Sequence, residues 1–341
     1  STKLKHLKIS SQNETFEVLE EPASAVLSRS FFIFAICATF SISLLGSLCD
    51  IYLFYKLVTR KSKPSGFQKL CTVKSVTNCI ICLSFLFWVV PVTSFSLTFS
   101  QLNQPLNRFV GIIAASWSYF MNSCISVCMS CNRFYVLFFP FGISLLRGTS
   151  VTNWAILLCM CLVTGWALFS VQDGCACVYD PNIFLWRNEI SECTDMIAPY
   201  IPFFVFGTTI ITNILNVMTI TRLLMEKMTG VNVEESKRRR RRWMIMFMQS
   251  VIQDCLQLVD IINSYYLWKL NEDLWFQFMT VTFSFLTVTA IDGFVMFICQ
   301  SDIHPRWMKR LSKNGTGGSS VAVLKSVGNV SSKLNISLAM C

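Results

Sequence analysis

The sequence has 341 residues, of which 53% are hydrophobic and only 14% are charged, and its net charge is +10. A soluble domain carries about 25% charged residues, and the mean hydropathy of this chain is +0.52. These values exclude an ordinary soluble enzyme or binding domain. Lipid must surround most of the chain, because water cannot solvate so much apolar surface.

Apolar runs long enough to cross a bilayer as helices recur seven times. They lie at about 31–55, 70–97, 109–139, 151–171, 197–221, 243–268 and 275–299. Lys74 falls near one end of the second run, where its ammonium can snorkel to the interface, and Pro91 is expected to kink that helix. The pattern predicts an all-α membrane protein whose seven-transmembrane helix bundle occupies residues 31–299.

Basic residues between the runs predict the orientation, because cytoplasmic flanks carry an excess of Lys and Arg. With the N-terminus outside, the cytoplasmic side has 22 basic residues and the outer side has seven. We therefore expect 1–30 to be an extracellular segment, glycosylated at Asn13 in the sequon Asn13-Glu14-Thr15. Residues 300–341 are expected to be cytoplasmic. Their apolar positions Ile303, Trp307, Met308 and Leu311 predict a short amphipathic helix after the seventh span, followed by a disordered tail.

The basic run at 237–242 has two readings. Its composition resembles a nucleic-acid patch, but it directly adjoins the sixth apolar run. We therefore assign no nucleic-acid partner. We expect its side chains, among them Arg238, Arg239 and Arg240, to face the anionic inner leaflet or an acidic surface of a cytosolic protein.

A polar stripe follows one face of the third predicted helix. Its members, at steps of three and four residues, are Arg133, Ser130, Ser126, Ser123, Tyr119 and Ser116. Such groups turn towards neighbouring helices in a bundle, although small serines also simply permit close packing. Arg133 ends the stripe at the cytosolic surface, where it is expected to snorkel and exchange partners, or to act as a plain interfacial anchor.

Acidic residues within the predicted spans form two sets. Asp50, Asp254 and Asp292 are assigned to one inner polar network, which Arg133 can join. Asp260 lies in the outer half, where it either pairs with a cationic ligand or belongs to a structural network. An ionised Asp at a helix centre costs about 3 kcal/mol, so each of these groups needs a partner, a proton or water.

The outer half of the bundle has the mostly apolar, weakly polar composition of a small-molecule pocket. The candidate lining residues are Ser116, Tyr119, Ser123, Asp260, Tyr265, Trp268 and Trp275. For Trp268 and Trp275, an interfacial aromatic belt is the stronger interpretation.

Several function classes lack their sequence signals. The chain has no His-Glu-x-x-His motif, no internal repeat and no filter-like segment, and the seventh run contains no Lys that could bind retinal. We therefore predict no enzyme activity, no cofactor and no metal site.

Of the sixteen cysteines, only Cys175, Cys177 and Cys193 lie in a predicted outer loop. That compartment is oxidising, so one pair and one remaining thiol are expected.

Four motifs resemble the nematode serpentine chemoreceptors of the G-protein-coupled receptor superfamily, and most closely their class-X group. They are Asn132-Arg133-Phe134 with Phe139-Pro140, Gly174-Cys175 with Cys193, the sixth-span segment Gln249-Ser250-Val251-Ile252-Gln253-Asp254, and Ile291-Asp292-Gly293-Phe294. The likeness covers residues 31–312.

The resemblance implies a receptor in the plasma membrane, at the cilium of a sensory cell, that binds a small molecule and activates a heterotrimeric G protein. It implies coupling through Asn132, Arg133 and Phe134 together with the basic run. It also implies a Cys175–Cys193 disulfide, with Cys177 as the alternative partner. A peptide receptor of the same superfamily, or a seven-helix transporter or channel subunit, remains an alternative.

The sequence also departs from rhodopsin-type receptors. Asn132 stands where an acidic neighbour of the Arg is usual. Arg108 stands near the usual third-helix Cys, so the bridge to the outer loop must be arranged differently. The sixth run lacks Cys-Trp-x-Pro, and Asp292-Gly293-Phe294 replaces the expected Asn-Pro-x-x-Tyr.

Overall fold

The computed structural model describes residues 29–61, 63–139, 150–228 and 234–299, without the side chains of 150, 226–228 and 234–243. Seven helical spans in this part of the chain are long and apolar enough to cross a membrane. The predicted seven-helix bundle is therefore confirmed. Asn13, the segment 1–30 and the expected amphipathic helix and tail at 300–341 lie outside the described residues.

The spans differ in how regular their helices are. The first is Arg29–Val58, the fourth is Ser150–Phe169 and the sixth begins within Glu234–Tyr265. The fifth consists of Glu192–Ile197 and Tyr200–Met228. The second, third and seventh spans each have a π-helical segment between two α-helical ones. In the second span, Phe85–Val89 lies between Gly66–Ser84 and Val90–Ser94. In the third, Ile112–Ser118 lies between Gln104–Gly111 and Tyr119–Phe138, and in the seventh, Phe278–Phe283 lies between Leu274–Gln277 and Ser284–Cys299. Short 3₁₀ turns occur at Phe99–Gln101 and Leu267–Leu270.

Helix starts follow the local sequence. Ser65 and Gln68 form a reciprocal capping box at the beginning of the second span, which satisfies two backbone N–H groups. Asn103 caps the third span by accepting from the Leu106 N–H at 3.1 Å. The irregularity expected at Pro91 occurs just before it, where the helix widens to the π-helical turns of Phe85–Val89.

The apolar residues face outwards as readily as inwards. Leu45, Leu158 and Val217 are each about three-fifths exposed. Half of the most apolar stretch of the second and third spans is buried, but only 17% of that of the fourth. This distribution suits a bundle whose surrounding solvent is lipid, since lipid gives exposed apolar side chains no penalty.

A β-hairpin joins the fourth and fifth spans. Strand β1 (Cys177–Asp180) pairs antiparallel with β2 (Leu185–Asn188), and Cys177 lies opposite Asn188. A Cys175–Cys193 disulfide closes its base, with Cα atoms 5.4 Å apart. The pairing implied by the resemblance is confirmed, and Cys177 is the one of the three loop cysteines that remains a free thiol. We call this end of the bundle the hairpin end and the opposite end the Arg133 end.

Candidate ligand cavity and coupling site

The hairpin is anchored in the bundle by Asn107 of the third span. The fully buried Asn107 amide donates to the Tyr179 carbonyl at 2.9 Å, and its Oδ1 accepts from the Tyr179 N–H at 3.1 Å. Trp88 Nε1 donates to the same Oδ1 at 3.0 Å. Gly111 permits the approach, because a Cβ there would lie 1.8 Å from the Cys177 carbonyl oxygen. The Asn107 side chain thus pairs with the Tyr179 backbone of β1 as a further strand would.

Arg108 fixes the two arms of the disulfide loop to the third span. Its Nη1 lies 2.7 Å from Asp173 and its Nε lies 3.1 Å from Glu189. Arg108 stands near the position of the third-helix Cys of rhodopsin-type receptors, and the sequence predicted a differently arranged bridge there. Here ion pairs connect the loop to the third span, and the disulfide lies within the loop itself.

A cavity of about 210 Å³ lies beneath the hairpin. The fourth, fifth, sixth and seventh spans and the hairpin complete the wall begun by the third. Residues that line it include Ser116, Tyr119, Phe120, Trp166, Cys177, Trp186, Asn188, Ile201, Asp260, Ser264, Tyr265, Thr282 and Phe285. Six of these residues carry aromatic rings, and several others carry hydrogen-bonding groups. An apolar lining with placed polar groups is the usual composition of a small-molecule site.

Two π-helical segments contribute to this wall. Ser116 belongs to Ile112–Ser118 and Thr282 to Phe278–Phe283. Thr282 also donates to the Phe184 carbonyl of the hairpin at 2.6 Å. Such segments insert an extra residue into a turn and frequently occur at functional sites.

Four of the seven candidate pocket residues line the cavity, namely Ser116, Tyr119, Asp260 and Tyr265. Ser123, Trp268 and Trp275 do not. Ser123 lies buried further along the stripe and accepts from Gln257 at 3.3 Å. Trp275 is half exposed and Trp268 packs under the Lys269 ammonium, positions that suit the aromatic-belt interpretation.

The hairpin supplies three further residues to the cavity that the sequence did not predict there, Trp186, Asn188 and Cys177. The loop cysteines were the signal that could have found them, because they mark the segment held over the bundle. Burial and the nearby Glu189 charge raise the pKa of Cys177 to about 12. The cavity therefore contains a neutral thiol at physiological pH rather than a thiolate.

Lys74 lies within a buried polar cluster of the second, third and seventh spans. Its Nζ is 3.2 Å from Asp292 and donates to Ser126 at 2.9 Å, and the residue is 5% exposed. Asn78 donates to the other Asp292 oxygen at 2.7 Å. The expected snorkelling is therefore wrong, because a carboxylate inside the bundle offers the ammonium a closer partner than the interface does.

Asp50 of the first span adjoins this cluster. Ser75 donates to its backbone carbonyl at 2.8 Å and lies 3.5 Å from its Oδ1, whereas Oδ2 is buried with no hydrogen-bond partner in the described part of the chain. A Cβ at Gly293 would lie 2.5 Å from Oδ1. Glycine is thus needed next to Asp292 for the Asp50 carboxylate to fit.

Asp254 belongs to a separate cluster. Asn216 of the fifth span donates a short hydrogen bond to Asp254, and Ser130 lies 3.5 Å from the Asn216 amide oxygen. The single network predicted for Asp50, Asp254 and Asp292 is therefore wrong in its connectivity. Asp254 bonds to the fifth span and to Ser250 of its own helix, and no described hydrogen bond or ion pair joins it to Lys74, Asp50 or Asp292.

Arg133 is buried at the end of the stripe, with 2% of its surface exposed. Its guanidinium lies over the Phe67 ring at 4.9 Å. None of its three nitrogens has a hydrogen-bond partner among the described residues. The expected snorkelling position is wrong, since Phe67 covers the side chain and holds it within the bundle.

Asn132 and Phe134 face away from Arg133. Both line a groove of about 530 Å³ between the second, third and fourth spans, and Phe134 stacks on Phe138 with ring centres 4.3 Å apart. Of the three motif residues, only Arg133 thus points into the bundle. The side chains of Arg238, Arg239 and Arg240 lie outside the described part, although their backbone continues the sixth-span helix.

Seven apolar spans, a disulfide-closed loop over an aromatic cavity and a buried Arg at the far end of the third span define a receptor-like membrane bundle. The chain belongs to the serpentine type 7TM GPCR chemoreceptor Srx family, whose model matches residues 40–300. It is also similar to Serpentine receptor class X 45 of Caenorhabditis elegans, with 22% identity over 285 residues that cover 76% of each chain. The class-X resemblance is confirmed, and the chain is a multi-pass membrane protein of a chemoreceptor family.

Proposed function

We propose that this protein is a chemosensory receptor that binds a small molecule at the hairpin end and activates a heterotrimeric G protein at the Arg133 end. One observation supports this most strongly. The third span lines the cavity with Ser116 and Tyr119 and also carries Arg133. The sixth span likewise contributes Asp260 and Tyr265 at one end and carries Gln249 at the other. Ligand contacts can therefore bias the arrangement of the third and sixth spans, and the third span carries the proposed coupling residue Arg133.

The state of Arg133 supports its role in coupling. A buried cation without a partner is costly, since removing one partner of a buried pair costs about 3–5 kcal/mol. Gln249 Oε1 and Gln253 Nε2 of the sixth span are also buried without hydrogen-bond partners in the described part. A helix movement that opens this end could give Arg133 an acceptor, either from the sixth span or from an inserted segment of a partner. The arrangement therefore favours a bundle that changes state when a partner binds.

The small size of the cavity supports a small molecule rather than a peptide as the ligand. At about 210 Å³ it is below the roughly 300–1,000 Å³ of drug-sized sites. The disulfide and the Asn107 contacts hold the hairpin across it. A peptide would have to displace these contacts.

The excess of basic residues supports an orientation with the hairpin end outside, at the plasma membrane or cilium. An outside hairpin also places its disulfide in an oxidising compartment. In intact cells, antibody should label an N-terminal tag and should label a C-terminal tag only after permeabilisation. The reverse labelling pattern would contradict the orientation.

The function itself is tested by G-protein recruitment in cells that express the receptor, screened with a broad panel of small molecules. At least one compound should increase recruitment in a receptor-dependent, saturable manner. A compound that binds the receptor and drives ion or solute flux without G-protein recruitment would instead support a channel or transporter.

A further inference from the structure

Asp260 places a carboxylate in the wall of the hairpin-end cavity. The residue is 4% exposed, and its Oδ1 is buried without a hydrogen-bond partner in the described part of the chain. The Ser284 hydroxyl lies near the carboxylate and accepts from Asn263 at 2.8 Å. One hydroxyl is a weak substitute for the water that a carboxylate loses on burial.

Three described basic residues of the hairpin end are engaged elsewhere, and a fourth, Arg29, is exposed at the start of the first span. Arg108 pairs with Asp173 and Glu189, and Arg187 pairs with Asp180 at 2.9 Å. Lys269 stacks on a tryptophan at the end of the sixth span. No described Lys or Arg lies within ion-pair distance of Asp260, so this part of the protein offers its carboxyl group no counter-charge.

The rest of the wall suits a cation. Tyr119 and Tyr265 line the same cavity as Asp260. Trp166, Trp186 and Phe285 line the same cavity. Aromatic faces attract a nearby cation through their quadrupoles, most strongly where water is excluded.

We propose that the cavity selects a small organic cation, a protonated primary or secondary amine whose N–H donates to Asp260 while its body packs on the aromatic wall. This inference rests on the proposed ligand site and names the chemical class that it recognises. An ammonium supplies both the missing donor and the missing positive charge, whereas an alcohol supplies only a donor and a carboxylate would be repelled. Charge-assisted hydrogen bonds are about twice as strong as neutral ones.

The test uses purified full-length receptor and matched probes of graded size: isoamylamine and 2-phenylethylamine against isoamyl alcohol and 2-phenylethanol. Thermal unfolding measured against probe concentration gives an apparent Kd for each. Each amine should bind at least tenfold more tightly than its alcohol. This comparison within the unaltered protein does not depend on any variant folding.

Three variants assign the effect to Asp260. Asp260→Asn should weaken amine binding at least tenfold and leave alcohol binding unchanged. Without ligand it should unfold at the same temperature as the unaltered receptor or higher, because an uncompensated buried charge is gone. Asp260→Glu keeps the charge and should retain amine binding. Asp195→Asn removes an exposed carboxylate at the same end and should change nothing.

Alcohols that bind as tightly as the amines, amines that bind Asp260→Asn normally, or no stabilisation by either amine would overturn the proposal. Amine binding that depends on Asp260 but causes no G-protein recruitment would support the ligand class and contradict the coupling function. G-protein recruitment by neutral compounds that is unchanged in Asp260→Asn would support the coupling function and contradict the ligand class.

Discussion

The two ends of the bundle differ in which polar groups are paired: the contacts that hold the hairpin are made, although Asp260 Oδ1 of the cavity wall has no partner in the described part, whereas at the other end the Arg133 side chain itself has none. At the hairpin end, Asn107 and Thr282 bind the hairpin through hydrogen bonds, and Arg108 forms ion pairs with the disulfide loop on either side of it. At the Arg133 end, the guanidinium of Arg133 and one side-chain atom of Gln249 are buried without described hydrogen-bond partners. A satisfied buried polar network rigidifies one arrangement, whereas an unpaired buried polar group is costly and gains from any arrangement that supplies a partner. We infer that the hairpin end is the fixed frame for ligand and the Arg133 end is the part that changes.

The largest expected effect comes from the cluster between the two ends. Lys74→Met should remove the counter-charge of Asp292 and destabilise the receptor by about 3–5 kcal/mol. This loss should appear as a lower unfolding temperature in detergent. Asp292→Asn in the same background should restore most of it, because the remaining amide needs no counter-charge. Lys63→Met, at an exposed position, is the control. A Lys74→Met receptor of normal stability would show that the cluster holds little energy.

The next effect concerns the fixed hairpin. Replacing Cys175 and Cys193 together by Ser should cost about 3 kcal/mol, the entropy of a closed loop of this size. Thermal unfolding should show this loss, and the ligand response should weaken because the loop over the cavity is less restrained. Cys161→Ser, an exposed free cysteine of the fourth span, should have little effect. Equal unfolding temperatures for the unaltered receptor and the variant without Cys175 and Cys193 would contradict the role of the disulfide.

A smaller effect is expected within the cavity. Tyr119 packs edge-to-face on Phe120 and Phe285, with ring centres 5.8 and 5.7 Å away. Tyr119→Ala should raise the half-maximal agonist concentration at least tenfold, which corresponds to about 1.4 kcal/mol. Tyr119→Phe keeps the ring and should respond more nearly normally. An unchanged dose–response curve for Tyr119→Ala, at matched surface expression, would place the ligand elsewhere.

The number of spans could be predicted from sequence because apolar length reports lipid exposure directly. The loop disulfide followed from the motif resemblance. The stripe from Arg133 to Ser116 also placed Tyr119 correctly in the cavity wall, since helical periodicity fixes which residues share a face.

Partners across helices could not be predicted in the same way. Hydropathy placed Lys74 near a helix end but could not show that Asp292, far along the chain, lies 3.2 Å away. Hydropathy could not separate the Asp254 cluster from the Asp292 cluster either, because the periodicity of one span does not show which face of another span it packs against. The Asn107 anchor could not be predicted either, because it bonds to a hairpin that carried no strong strand signal.

The difference between the two ends is tested most directly by the effect of Arg133→Ala on ligand-stimulated nucleotide exchange in a reconstituted G protein. The variant should reach the surface and bind agonist with unchanged affinity, because the cavity is at the opposite end. Its stimulated exchange should fall to the ligand-free rate. Lys56→Ala, which removes another basic side chain at the Arg133 end, stacked over Tyr52 and Tyr55, should exchange normally. Normal agonist-stimulated exchange by Arg133→Ala would contradict the assignment and leave Arg133 as a structural anchor.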